Sequence, residues 1–219
     1  MEGASYRTIR TGGTFEVTEK KSRFIGEAGH AENEEEALAF LETIRKKHYD
    51  AKHHCFAFIG NGGAPVRSSD DGEPQGTAGH PILGVLQGAG LCGSILVVTR
   101  YFGGTLLGTG GLVRCYTAAA KGAVEASSVI EKKKGTRCTL RASYTDSGRL
   151  TYLLAENRIP VLDTSYGEDV ALEMIIPYRK EGALAKKIAE ATAGRTVPKD
   201  GRPVWYWEED GSVLCEEEA

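Results

Sequence analysis

The 219-residue chain is defined first by what it lacks. No run of about 18 apolar residues occurs, which excludes a membrane-spanning helix. The first residues, MEGASYRTIRTGGTFEV, contain no apolar stretch of the kind a secretory leader needs. There are five cysteines (Cys55, Cys92, Cys115, Cys138 and Cys215), odd in number, far apart and without a C-x-x-C pair. That pattern argues against a disulfide framework or a zinc site and predicts reduced, mostly buried thiols in a cytoplasmic protein. Net charge is only −3, so no strongly basic surface is announced. Nor is there a G-x-S-x-G elbow, a P-loop lysine, or a G-x-G-x-x-G following a strand. His54 and Cys55 are strand neighbours and point to opposite faces, so they make no nucleophile–base pair. The His48, His53 and His54 group does not have helical metal-ligand spacing. No catalytic residue, cofactor or metal ligand is expected from these features.

Glycine, by contrast, is abundant. It accounts for 28 residues, 15 of them between Gly60 and Gly111. There is no period of three, so a collagen-like helix is excluded. Such local density means backbone in unusual conformations or backbone lying very close to something else.

Periodicity predicts short strands within 5–26. A helix follows at 33–49, with Asn33 as N-cap, acids Glu34, Glu35 and Glu36 in its first turn, and Arg45, Lys46 and Lys47 in its last. A strand is expected at 53–59, a polar loop at 60–77, an apolar helix at 78–89 and a buried strand at 94–100. A second glycine loop leads to a helix from about Leu112 to Ser127. The run Lys132-Lys133-Lys134-Gly135 reads as a linker. Beyond it the order is β-α-β-β-α-β, the split ferredoxin-like arrangement, with Asp146 a candidate helix cap. The fold class is α+β in two domains, 1–134 and 135–208, followed by an acidic tail, 209–219, whose composition suggests disorder.

Three segments could carry chemistry. Asp70, Asp71 and Glu73 could hold a divalent cation or serve as acid and base; equally, Asp-Asp-Gly is good turn chemistry in which side chains cap the backbone. Arg100, Tyr101, Phe102, Gly103 and Gly104 suit a phosphate or a stacked base; alternatively, Tyr101 and Phe102 are core residues and Arg100 pairs with Asp70 or Asp71. Gly108-Thr109-Gly110-Gly111 ahead of a helix bearing Arg114 could bind an anion through free backbone amides, or simply form a tight turn.

The runs S-S-D-D-G-E-P-Q-G-T-A-G-H-P-I-L and V-V-T-R-Y-F-G-G-T-L-L-G-T-G-G-L-V-R closely resemble the YigZ/IMPACT family. K-K-S-R-F-I at 20–25 and H-C-F-A-F at 54–58 fit the same family. The resemblance covers about residues 15–130, and the rest resembles the small C-terminal domain of bacterial members. It implies a first domain of ribosomal protein S5 domain 2-like fold and a ferredoxin-like second domain, a pair similar to the last two domains of elongation factor G. It further implies a motif over Asp70, Asp71, Gly72, Glu73, Gly76, Thr77, Arg100, Tyr101, Gly103, Gly104, Gly108 and Gly110. His80 stands where the family commonly has lysine, and Cys115 where it has alanine.

The family's eukaryotic branch regulates translation, so the expected role is a translation-associated, non-enzymatic binding protein. Its partners would be RNA, the ribosome or a translation factor, met through the Asp70–Glu73 and Arg100–Gly104 loops presented as one surface. A metal-dependent enzyme acting on a phosphorylated small molecule, and a protein adaptor without nucleic-acid binding, are the alternatives.

Overall fold

A computed structural model describes residues 5–217. The chain divides into two units, Met1–Ile130 and Glu131–Ala219. Among the described residues no helix is long and apolar enough to cross a membrane.

The first unit contains strands β1 (Ser5–Thr11), β2 (Thr14–Glu19), β3 (Ser22–His30), β4 (His53–Ile59), β5 (Val66–Ser69) and β6 (Ser94–Tyr101). Its helices are α1 (Glu34–Lys47), α2 (Gly79–Gly88) and α3 (Gly108–Glu125). Five strands form an antiparallel sheet in the order β2-β3-β6-β4-β5. Both faces are covered, which explains why β4 and β6 read as nearly continuous apolar runs. Cys55, Ala57, Leu96 and Val98 pack with Ile82 and Leu86 of α2 and Tyr116, Ala119 and Ala120 of α3. The alternate residues Phe58, Ile95 and Val97 meet Ala37, Leu41 and Ile44 of α1. Helix α1 starts as its sequence dictates: Asn33 Oδ1 accepts from the Glu36 amide at 2.9 Å.

Two expectations change here. The segment 60–77 is not all loop, because β5 lies within it, paired to β4 from Phe56–Ser69 to Ile59–Val66. It is short and largely exposed, so it carries no alternation to read. Helix α3 begins at Gly108 rather than Leu112, placing Gly108, Gly110 and Gly111 in its first turn. Glycine is a poor helix former, but first-turn amides have no intrahelical partner in any case.

The second unit continues from β7 (Ser128–Ala142), inside which the boundary falls. It contains α4 (Tyr144–Glu156), β8 (Val161–Tyr166), β9 (Val170–Pro177), α5 (Glu181–Thr192), β10 (Lys199–Glu209) and β11 (Ser212–Glu217). The sheet order β11-β10-β7-β9-β8 contains the ferredoxin-like arrangement, with β11 added at one edge. One face buries Leu140, Leu172 and Met174 against Leu150, Leu154, Leu184 and Ile188 of the two helices.

Three further corrections belong to this unit. The lysine run is not a linker but part of β7. Lys132 is buried with its ammonium on Glu216 and over the Trp207 ring, and Lys134 lies over Trp205. Long cationic stems cover aromatic surface well, so a charged run can be strand. The acidic segment is ordered: β11 pairs with β10 from Glu209–Ser212 to Val204–Glu217, and only Glu218 and Ala219 of that tail lie outside the described residues. The cap of α4 is Ser143, whose hydroxyl accepts from the Asp146 amide at 3.2 Å; Asp146 instead binds Arg195 at 3.0 Å.

Candidate functional site

The Asp70–Thr77 loop is held by its own side chains. Helix α2 has no side-chain cap of its own. Asp70 supplies one from upstream: its carboxylate accepts from the amides of Ala78 (2.9 Å), Gly79 (2.8 Å) and Gly76 (2.8 Å). Burial alone would push the Asp70 carboxyl up, but these three amides together hold it below the ordinary value. Asp71 sits at φ +43°. Its carboxylate accepts from the His54 amide at 2.6 Å, and its carbonyl accepts from His53 Nδ1 at 2.8 Å. Thr77 closes the far end by donating to the Pro74 carbonyl at 2.6 Å.

Glu73 turns inward. Arg100 Nη1 donates to its Oε1 at 2.6 Å, and the Tyr116 hydroxyl donates to the same oxygen at 2.8 Å. The ion pair is buried, its side chains 7% and 4% exposed. Arg100 therefore pairs with Glu73, not with Asp70 or Asp71. The Cys55 sulfur lies 3.4 Å from the Tyr116 hydroxyl and 3.0 Å from the Asp70 carbonyl. Burial above all pushes the Cys55 thiol up to about 12, which makes it inert as a nucleophile. Burial likewise raises Tyr116, with Cys55 and Glu73 adding to the effect.

Tyr101 does not join this group. It follows Arg100 on β6, and successive strand residues face opposite ways. Its hydroxyl donates to Asp50 at 2.9 Å and lies 3.1 Å from His48 Nδ1, while His48 Nε2 lies 3.1 Å from Glu27. Burial and then Asp50 raise the Tyr101 hydroxyl above its ordinary value. The single surface expected from Asp70, Asp71, Glu73, Arg100 and Tyr101 is thus not formed. Two members are buried, two hold the loop, and the fifth lies on the other side of the sheet.

What faces outward is the segment after β6. The Gly103 amide donates to Ser22 Oγ at 3.0 Å, and a Cβ on Gly103 would fall 2.1 Å from the Lys21 carbonyl carbon. Only glycine permits this closeness, and it fixes the loop against the β2–β3 turn at Lys20 and Lys21. Gly104 (φ +85°) and Gly108 (φ +71°) then redirect the chain into α3. Phe102 is 53% exposed and Leu106 83% exposed. Lys20, Lys21, Gly110 and Arg114 are exposed as well. The Cys115 thiol on α3 is buried, and burial raises it above its ordinary value. Lys20, Lys21 and Leu106 are not among the candidate residues expected from the sequence, and Phe102, weighed there as a core residue, is exposed. The K-K-S-R run was visible, but its place beside Gly103 depends on the β3–β6 pairing of Arg23 with Tyr101.

The carboxylates do not converge on a metal position: among the described residues no group of three or more His, Cys, Asp or Glu side chains is placed to hold a metal ion. An open groove of about 390 Å³ lies beside the first loop, lined by Ser68, Ser69, Asp70, Gln75, Gly76 and His80.

Comparison with known proteins places this geometry in a family. Residues 20–124 match the Impact N-terminal domain, and residues 140–195 match a domain of unknown function, DUF1949. IMPACT family member YvyE of Bacillus subtilis is 36% identical over 198 residues, covering 90% of this chain and 91% of that protein. IMPACT family member YigZ of Escherichia coli is 39% identical over 180 residues, covering 80% and 87%. The Protein IMPACT homolog of Dictyostelium discoideum is 37% identical over 106 residues, 46% of this chain and 30% of that one. A crystal structure titled as that of a hypothetical protein superposes with a TM-score of 0.59 at 35% identity, covering 90% of this chain and 97% of the other. With both the loop motifs and the second unit accounted for, the chain belongs to the IMPACT family.

Proposed function

We propose that the chain is a translation-associated binding protein that contacts RNA, on or off the ribosome, through one end of its first unit. The observation that carries this reading is the outward set of Lys20, Lys21, Phe102, Leu106 and Arg114, arranged on glycine backbone with the Arg100–Glu73 pair buried behind it. Lysine and arginine supply phosphate contacts, exposed apolar side chains supply contacts to bases, and glycine lets a ligand approach the main chain. This relocates the binding surface from the Asp70–Glu73 loop to the Phe102–Gly110 segment and the β2–β3 turn. Asp70, Asp71, Glu73, Thr77 and Arg100 become its supports, and Tyr101 lies outside it.

Metal-dependent chemistry finds no support in this loop, because Asp70, Asp71 and Glu73 each hold different partners in different directions. The test is sedimentation of cell extract on a sucrose gradient. Co-migration with ribosomal subunits, lost in a Lys20→Ala/Lys21→Ala double variant and after nuclease, is the expected result. Migration only at the top of the gradient contradicts ribosome association, and nuclease-resistant co-migration replaces RNA with a protein partner.

A further inference from the structure

We infer that Phe102 is a stacking platform for an unpaired base of single-stranded RNA; the inference rests on the RNA reading above and names its ligand more closely. The ring is half exposed yet firmly held. The Arg100 guanidinium lies over it, 5.5 Å from the ring centroid, and also lies over the Phe24 ring at 5.3 Å. Phe24 is itself fully buried and meets Tyr116 edge-on at 5.1 Å. The guanidinium donates to Glu73, whose carboxylate also accepts from the Tyr116 hydroxyl. Phe102 therefore extends a packed series of flat groups that begins in the core and stops at solvent.

The ring's mounting is rigid as well. The residue after it, Gly103, is pressed against the Lys21–Ser22 backbone and hydrogen-bonded to Ser22. An immobilised aromatic loses little freedom when a base stacks on it, which is how such platforms gain affinity. Charge selects the kind of ligand. Lys20 and Lys21 of the β2–β3 turn and Arg114 of α3 are exposed, as is Glu19 at the end of β2, and Arg23 is matched by Glu16 at 2.8 Å. A flat group between flexible phosphates fits this setting better than an apolar peptide. Duplex RNA keeps its bases inside the stack and offers Phe102 no face. Stacking tolerates any base, so the preference is for single strands rather than for sequence.

The test uses the full chain and fluorescence anisotropy with two labelled probes, a short oligouridine and an RNA duplex of equal length. Wild type is expected to prefer the single strand. Phe102→Ala and Phe102→Leu should both weaken oligouridine binding by about tenfold or more, and Phe102→Tyr should retain it. Phe102→Leu keeps apolar bulk and removes only the aromatic face, and a thermal melt of each variant confirms folding. Phe102→Leu binding like wild type, or equal affinity for duplex and single strand, overturns stacking; the RNA reading then survives if Lys20→Ala/Lys21→Ala still weakens binding. Failure of wild type to bind either probe overturns both.

Discussion

Two glycine-bearing loops meet the same end of the first sheet, and their side chains are used in opposite ways. In Asp70–Thr77 the polar groups turn back onto the protein: Asp70 onto three amides, Asp71 onto β4, Glu73 onto Arg100 and Tyr116. In Phe102–Gly108 the backbone is clamped at Gly103 while Phe102 and Leu106 face solvent. Richness in chemically capable residues is therefore a poor guide to which loop turns its side chains to solvent. The acidic loop is scaffold; the apolar one beside the lysine turn is surface.

The comparison can be broken first at Glu73. Glu73→Ala leaves the Arg100 guanidinium buried without a counter-charge, and loss of about 3–5 kcal/mol of stability is expected by denaturant titration. A loss below 1 kcal/mol would mean that the pair is not buried in solution. Asp70→Ala ranks next, at about 1–2 kcal/mol, because it removes the cap of α2 and orphans loop amides. Hydrogen exchange should show faster exchange at Gly76, Ala78 and Gly79, with β3 unchanged. Because the Asp70 carboxyl is held below its ordinary value when folded, the stability it contributes is present above about pH 4 and is lost as pH falls through the folded value. Asp70→Asn should flatten that acid limb of a stability-versus-pH curve, and an unchanged limb would contradict the assignment.

Tyr101→Phe removes the hydroxyl bound to Asp50 and is expected to cost about 1 kcal/mol in a thermal melt while leaving RNA affinity intact. A large loss of RNA affinity in that variant would return Tyr101 to the binding surface. Phe102→Ala is the smallest in stability, about 1 kcal/mol or less, since only the contact with the Arg100 guanidinium and part of the ring's burial are lost.

The sequence made the scaffold legible wherever local rules and burial agree. Asn33, three acids and three bases mark both ends of α1, and the apolar alternation of β9 is visible in Val170, Leu172 and Met174. It was opaque where pairing decides. Val66–Ser69 has no apolar face to advertise a strand, and Lys132–Lys134 looked like a linker because the tryptophans they cover lie about 70 residues later. At the site, the motif residues were identifiable but their directions were not. Whether Arg100 and Tyr101 share a surface depends on β6 continuing through Tyr101. Whether Phe102 is core or surface depends on where the strand stops.

The measurement that bears most directly on the proposed division between scaffold loop and RNA-binding loop is the salt dependence of RNA affinity. Wild type should lose affinity steeply and linearly on a log–log plot, and Lys20→Ala/Lys21→Ala should reduce the slope for a single strand by about 1.4. A slope unchanged by that substitution would contradict it.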